Sequence, residues 1–246
     1  MDKHKIALRI LFAAAIVFGL ALLYFVYDMR RHQAIGRTIQ AEARELQYIY
    51  EEYDQDTGEY PSPFTMLRER TGNNDVIAYL YIPDTNISYA VLQSTDNDYY
   101  LHHDMYGNPS TYGALFLDYS NCPDFSDKNS VIYGHNMRNY TMFHNLRYFM
   151  DEDYFRRHRH ARIITEHFYL VYEIFSAFST DTRFNYIQTH FEEMEFESFV
   201  DALNGMSYHN FGAGAVYGDT ILILSTCTNL NPDTRYVVAA RLVETR

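Results

Sequence analysis

A thiol, a guanidinium and an imidazole stand in this sequence where a fold could bring them together. The run Ile221-Leu222-Ile223-Leu224-Ser225-Thr226-Cys227 reads as an apolar, β-branched strand that ends in a cysteine. Arg235 follows eight residues later and opens the next strand-like run, Tyr236-Val237-Val238-Ala239-Ala240. If the intervening residues turn the chain and the two runs pair as a hairpin, Cys227 and Arg235 face each other at its open end. A guanidinium beside a sulfur favours the thiolate and can also hold an oxyanion. Moving a proton needs a third group. Of the 11 histidines, only His135 directly follows a buried-type strand, in Ser130-Val131-Ile132-Tyr133-Gly134-His135-Asn136-Met137, where Gly134 allows a sharp exit. Three such groups at strand ends describe a site for thiol acyl transfer.

The same residues also have plainer readings. A cysteine after an apolar strand often serves as a small buried hydrophobe, and Cys122 could pair with Cys227 in an oxidising compartment. His102-His103 and His158 with His160 lack a cysteine or acidic cluster at zinc spacing, and no HExxH is present, so they read as solvated loop histidines. No glycine-rich phosphate loop and no dinucleotide fingerprint occurs.

The elements that must position these groups are mostly strands. Val76–Ile82, Ile87–Gln93, Ala114–Asp118, Ser130–Tyr133, Ala161–Thr165, Phe168–Phe178, Thr220–Thr226 and Tyr236–Val243 are strand-like, separated by turn chemistry such as Pro83-Asp84 and Asn231-Pro232-Asp233. About eight strands in one body predict a closed barrel or a sandwich. Two stretches read as helical, Tyr140–His158 and Phe191–Gly205. The second carries Phe196, Phe199, Val200 and Leu203 as one apolar stripe for the core, with Gly205 placed to end it. Upstream, Thr38–Tyr53 has helix formers with apolar residues at helical spacing. Gly58–Pro63 is a break, and Ser62 is placed to cap a short helix over Phe64–Arg70.

Composition bounds the rest. With 47% hydrophobic and 21% charged residues in 246, the chain is globular rather than disordered, and two cysteines cannot staple a disulfide scaffold. Its 24 Tyr and 17 Phe favour strands around a large core. A net charge of −12 argues against a nucleic-acid binder. The charge is uneven: residues 1–31 hold Lys3, Lys5, Arg9, Arg30 and Arg31 against Asp2 and Asp28, a net +3, which leaves −15 on the remainder. Between them, Ile10 to Tyr27 carries no charge, and as a helix it spans about 27 Å, close to a bilayer's hydrocarbon thickness. Its bulky end, Leu22 to Tyr27, lacks the small residues of a cleavage site, so it reads as an uncleaved anchor with the amino terminus inside the cell and the body outside. The expected division is a cytoplasmic tip and anchor over 1–31, a helical segment over 32–75 and a barrel over 76–246.

Taken together, Leu224-Ser225-Thr226-Cys227, Arg235 and Tyr133-Gly134-His135-Asn136-Met137 resemble the signature of sortases, membrane-anchored cysteine transpeptidases of Gram-positive bacteria. Asp96-Asn97-Asp98-Tyr99-Tyr100-Leu101, Gly113-Ala114-Leu115-Phe116-Leu117-Asp118 and the helix after Tyr186-Ile187-Gln188-Thr189 are similar to class B of that family. The resemblance covers about residues 38–246. It implies a mainly β fold, an eight-stranded barrel with amino-terminal helices and an extra helix, Phe191–Gly205, between the sixth and seventh strands. It also implies roles. Cys227 attacks the carbonyl of a Thr in a carboxy-terminal sorting motif of a secreted protein, His135 protonates the leaving amine, and Arg235 stabilises the oxyanion. A peptidoglycan-precursor amine then resolves the thioester, and neither metal nor organic cofactor is expected. Asn97, Leu101, Thr182, Tyr186, Ile187 and Ser225 match family positions that contact the substrate peptide, although each could equally serve the framework. Two departures concern substrate choice more than activity: Thr228-Asn229 follows the cysteine, where many members have an acidic or large residue, and Ala78-Tyr79 stands where the family often has Gly-Trp. Two alternatives stay open, a peptidase that uses water as acceptor and a membrane-tethered binding domain without chemistry.

Overall fold

The computed structural model describes residues 3–52, 63–181, 183–210, 214–228 and 233–246. Its elements in chain order are helix α1 (Lys3–Glu52), α2 (Pro63–Thr71), strands β1 (Val76–Tyr81) and β2 (Ser88–Leu92), the single-turn helix α3 (Tyr99–His102), then β3 (Leu115–Leu117) and β4 (Asn129–Tyr133). A 3-10 helix (Phe143–Met150), α4 (Glu152–Arg157), β5 (His160–Ile164), β6 (Tyr169–Asp181), α5 (Glu193–Met206), β7 (Ile221–Cys227) and β8 (Thr234–Thr245) complete it.

As expected, the eight strands close into a barrel; their order around it is β1-β2-β3-β4-β7-β8-β6-β5. Two of its joints are parallel, β2 with β3 and β4 with β7. Parallel neighbours require a long crossover, and the first crossover carries α3. The second parallel joint matters most. It sets the carboxyl ends of β4 and β7 side by side, with Tyr133 opposite Ser225.

The unbroken apolar run of β7 follows from burial on both faces. Ile221 and Ile223 join Val131, Val237 and Ala239 in a cluster under α5, where Phe196, Phe199, Val200 and Leu203 close over them. Leu222 and Leu224 alternate to the opposite face and are also buried. Burying each large side chain of the α5 stripe contributes about 1.5–3 kcal/mol. Glu192 and Glu195 start α5 with a reciprocal capping box. Gly205 lies inside the last turn and Ser207 follows as the cap, so the helix runs one residue past the expected end.

Three further readings are corrected. The two amino-terminal helical runs are one helix, because residues 28–37 contain no proline and a single glycine, Gly36, among mostly good helix formers. The stretch 140–158 is not one helix. Met142 has φ 56° and Asp151 is extended, so the chain breaks twice, and the Asp151 carboxylate restarts it by accepting from the Tyr154 amide at 2.9 Å. The turn α3 reads as no helix in sequence. It starts where the Asp96 carboxylate accepts from the amides of Asp98 and Tyr99. The break over 58–63 and the capping role of Ser62 fall outside the described residues, apart from Pro63 itself.

In α1, Leu8–Thr38 is long and apolar enough to cross a membrane, about 46 Å of helix. Its large side chains lie open, with Phe12 69% and Phe18 71% exposed.

Candidate active site

The hairpin of β7 and β8 places Cys227 directly opposite Arg235. The ladder extends one bond further, from the Thr228 amide to the Thr234 carbonyl at 3.1 Å. Arg235 also folds one guanidinium N–H back onto that carbonyl at 3.1 Å, and on its other side it pairs with Thr180 of β6. The Cys227 side is exposed. It is a free thiol, as is Cys122, so the possible Cys122–Cys227 disulfide is not formed.

His135 arrives from the neighbouring strand. Tyr133 sits opposite Ser225 in the parallel pair, so His135 and Cys227 each lie two residues beyond the last paired position. The imidazole is held at 2.8 Å between Nε2 and the Leu101 carbonyl. A carbonyl only accepts, so Nε2 carries the proton and Nδ1 is the nitrogen left to exchange one. Leu101 therefore serves the site through its backbone, from α3, while its side chain packs against the core around Tyr100 and Phe116.

Two glycines clear the space for this ring. A Cβ on Gly113 would lie 3.1 Å from His135 Cδ2 and 2.4 Å from the Tyr100 carbonyl oxygen, in a backbone already at φ +59°. A Cβ on Gly134 would meet Leu115 Cδ2 at 2.2 Å and the Phe143 ring at 2.9 Å. Gly134 is thus required for close packing behind the histidine, not for the backbone freedom that its place after a strand suggests.

The other expected contact residues divide. Tyr186 and Ser225 are both buried and bond to each other, hydroxyl to hydroxyl, at 2.9 Å. Burial raises the Tyr186 phenol, with smaller opposing effects from the Ser225 bond and Arg235 and a further push up from Cys227. That ring therefore lies within electrostatic reach of both Cys227 and Arg235. Ile187, next along, is 44% exposed. Asn97 is tied into the framework: its amide donates to Asp118 at 2.8 Å and accepts from the Tyr119 amide at 3.0 Å. Thr182 lies outside the described residues.

Several residues that build the site carried no signal of their own. The Asn129 side chain, fully buried at the start of β4, donates to the carbonyls of Tyr186 at 3.0 Å and Gln188 at 2.8 Å, and so holds the segment containing Ile187. Asp118 accepts from Asn97, Ser120 and Tyr133. Burial and then the Asp118 carboxylate push the Tyr133 phenol up, so it stays a donor. Asn136 donates to the Cys227 carbonyl at 2.8 Å, and Thr226 donates to the Gly134 carbonyl at 2.6 Å.

A closed barrel with a thiol, an imidazole and a guanidinium at adjoining strand ends defines a cysteine-based acyl-transfer architecture. The sortase domain model matches residues 80–243. The chain is 39% identical over 156 residues to sortase B of Listeria monocytogenes, a match that covers 63% of this chain and 63% of that protein. Among solved structures, sortase B of Bacillus anthracis superposes with a TM-score of 0.73 at 31% identity, covering 86% of this chain and 97% of the other. A Staphylococcus aureus sortase B–substrate complex does so with a TM-score of 0.73 at 25% identity, covering 87% and 97%. The chain belongs to the sortase family, and within it to class B.

Proposed function

We propose that this chain is a membrane-anchored cysteine transpeptidase with its catalytic domain outside the cell. Residues 1–31 form the tip and anchor, 32–75 the connecting helical segment and 76–246 the catalytic barrel. His135 takes the Cys227 proton, and Cys227 Sγ attacks the carbonyl carbon of the Thr in a carboxy-terminal sorting motif of a secreted protein. Arg235 steadies the oxyanion, the C–N bond breaks, and His135 delivers a proton to the departing amine. The resulting thioester is then attacked by an amino group of a peptidoglycan precursor. The new amide joins the surface protein to the wall, and Cys227 leaves as the thiol.

The observation that carries this reading is the strand register. It sets Cys227 against Arg235 and puts His135 the same number of residues beyond the β4–β7 pairing. The exposed Ile187 and the buried Tyr186 beside Cys227 and Arg235 support a peptide groove on that side. The S. aureus relative solved with a substrate supports the same class of ligand.

The test offers the full-length chain in detergent a set of sorting-type pentapeptides, with and without an amine nucleophile, and reads products by mass spectrometry. The expected result is cleavage after Thr that Cys227→Ala abolishes, with a ligated product when amine is present. Hydrolysis alone at every amine tried would favour the peptidase reading. Cleavage unchanged in Cys227→Ala would overturn both.

A further inference from the structure

The geometry points to Asn136 as a positioning residue that sets the spacing between His135 and Cys227. This rests on the transpeptidase reading above. The β4–β7 backbone ladder reaches its last pair at Tyr133 and Ser225, followed by one further bond from the Gly134 amide to the Ser225 carbonyl at 3.2 Å. Both reactive residues lie beyond that point, where the two strands no longer hold each other through their main chains. Side chains take over in both directions. The Thr226 hydroxyl reaches back to the Gly134 carbonyl at 2.6 Å, and the Asn136 amide reaches across to the Cys227 carbonyl at 2.8 Å. The two bonds bracket His135 on one strand and involve Thr226 and Cys227 on the other.

Asn136 is itself well anchored. It is 8% exposed and forms an antiparallel bridge with Met142, and the His135 carbonyl accepts from the Phe143 amide at 2.9 Å. Its donor therefore reports the position of the histidine loop to the cysteine main chain. The need for such a tie is mechanistic. Proton transfer between imidazole and sulfur, or between imidazole and the departing amine, depends steeply on separation, and a misplacement of about 1 Å can cost on the order of a hundredfold in rate. With the Nε2 side of the ring fixed on Leu101, a drift of the Cys227 main chain changes the distance to Nδ1 directly.

The test compares full-length wild type with Asn136→Ala, Asn136→Asp, Thr226→Val and Thr226→Ser. Phe155→Leu serves as a destabilised control, since Phe155 is fully buried in α4 and is no part of the site. Two readouts are used: kcat and KM for the sorting peptide, and the pH dependence of Cys227 alkylation by iodoacetamide. Alkylation is located by peptide mass because Cys122 is also free and exposed. For Asn136→Ala, kcat is expected to fall roughly 10- to 100-fold with KM within about twofold, and the alkylation profile to move along the pH axis. Asn136→Asp should be slower still, because a carboxylate opposes the Cys227 carbonyl. Thr226→Val should behave like Asn136→Ala, and Thr226→Ser should retain most activity. Both Asn136 variants tracking Phe155→Leu in kcat and in alkylation profile would overturn the proposal. If wild type cleaves no peptide, the transpeptidase reading fails, and the alkylation profiles still decide for or against Asn136.

Discussion

Replacing Asp118 by Asn asks whether one buried carboxylate ties the Asn97 loop to the strand that leads to His135. Asp118 is 4% exposed. One of its oxygens accepts from the Ser120 amide at 2.9 Å and the Ser120 hydroxyl at 2.7 Å. The other accepts from the Tyr133 hydroxyl and the Asn97 amide, both at 2.8 Å. Asparagine keeps the shape but converts one acceptor into an NH2 group, so whichever way the amide is flipped, two donors lose their acceptor. Hydrogen bonds to a charged group contribute about 1.5–3 kcal/mol each and do not add fully, so the loss should be about 2–4 kcal/mol. For a body of this size that lowers Tm by roughly 5–12 °C. Burial opposes ionisation of Asp118, but the bonds from Ser120, Tyr133 and Asn97 outweigh it and hold the carboxyl below its ordinary value. Because the folded-state pKa is depressed, the stability it contributes is fully present above the ordinary aspartate value near about 4 and is lost as pH falls through the lowered one. Thermal melts of wild type and Asp118→Asn, from about pH 7 down to about pH 3, should therefore show a gap that narrows only at the acid end. Equal Tm at neutral pH, or a gap that does not change with acidification, would refute the reasoning.

Other substitutions probe the site piece by piece. Arg235→Lys should lose about 100-fold or more in kcat/KM with little change in Tm, because an ammonium cannot reproduce the guanidinium fork; peptide kinetics with parallel melts check this. Asn129→Ala leaves the Tyr186 and Gln188 carbonyls without their donor. At about 1 kcal/mol or more per bond it should raise KM several-fold and speed amide exchange over residues 184–190. Gly134→Ala drives a methyl into Leu115 and Phe143 and should cost about 1–3 kcal/mol, read as a lower midpoint in urea.

How much of this was legible in the sequence depends on the range of the interaction. All eight strands could be read from their β-branched and aromatic runs, and so could the placement of Cys227, His135 and Arg235 as candidate groups near strand ends, since both signals are local. The α5 stripe was legible for the same reason. The 140–158 stretch misled because its helix formers gave no warning of the left-handed residues Tyr140 and Met142. The contacts that fix the site's geometry were not legible, even where the residue, such as Asn136 or Asp118, stood inside a motif. Asn136 meets Cys227 across 91 positions and Asn129 meets Tyr186 across 57. A side-chain amide bonding a distant carbonyl leaves no periodicity or spacing to find. Leu101 illustrates the same limit: the family pattern marks its position, but its link to His135 is a backbone carbonyl, which any residue type supplies.

In the proposed reaction Cys227 carries the acyl group and an amine removes it. Full-length chain mixed with a cleaved sorting peptide and quenched in acid should show by intact mass an adduct equal to the amino-terminal peptide fragment. Digestion should place the adduct on Cys227, and added amine should shorten its lifetime while ligated peptide accumulates in step. A peptide-cleaving chain that shows no adduct on Cys227, or an adduct whose decay ignores the amine, would contradict the account.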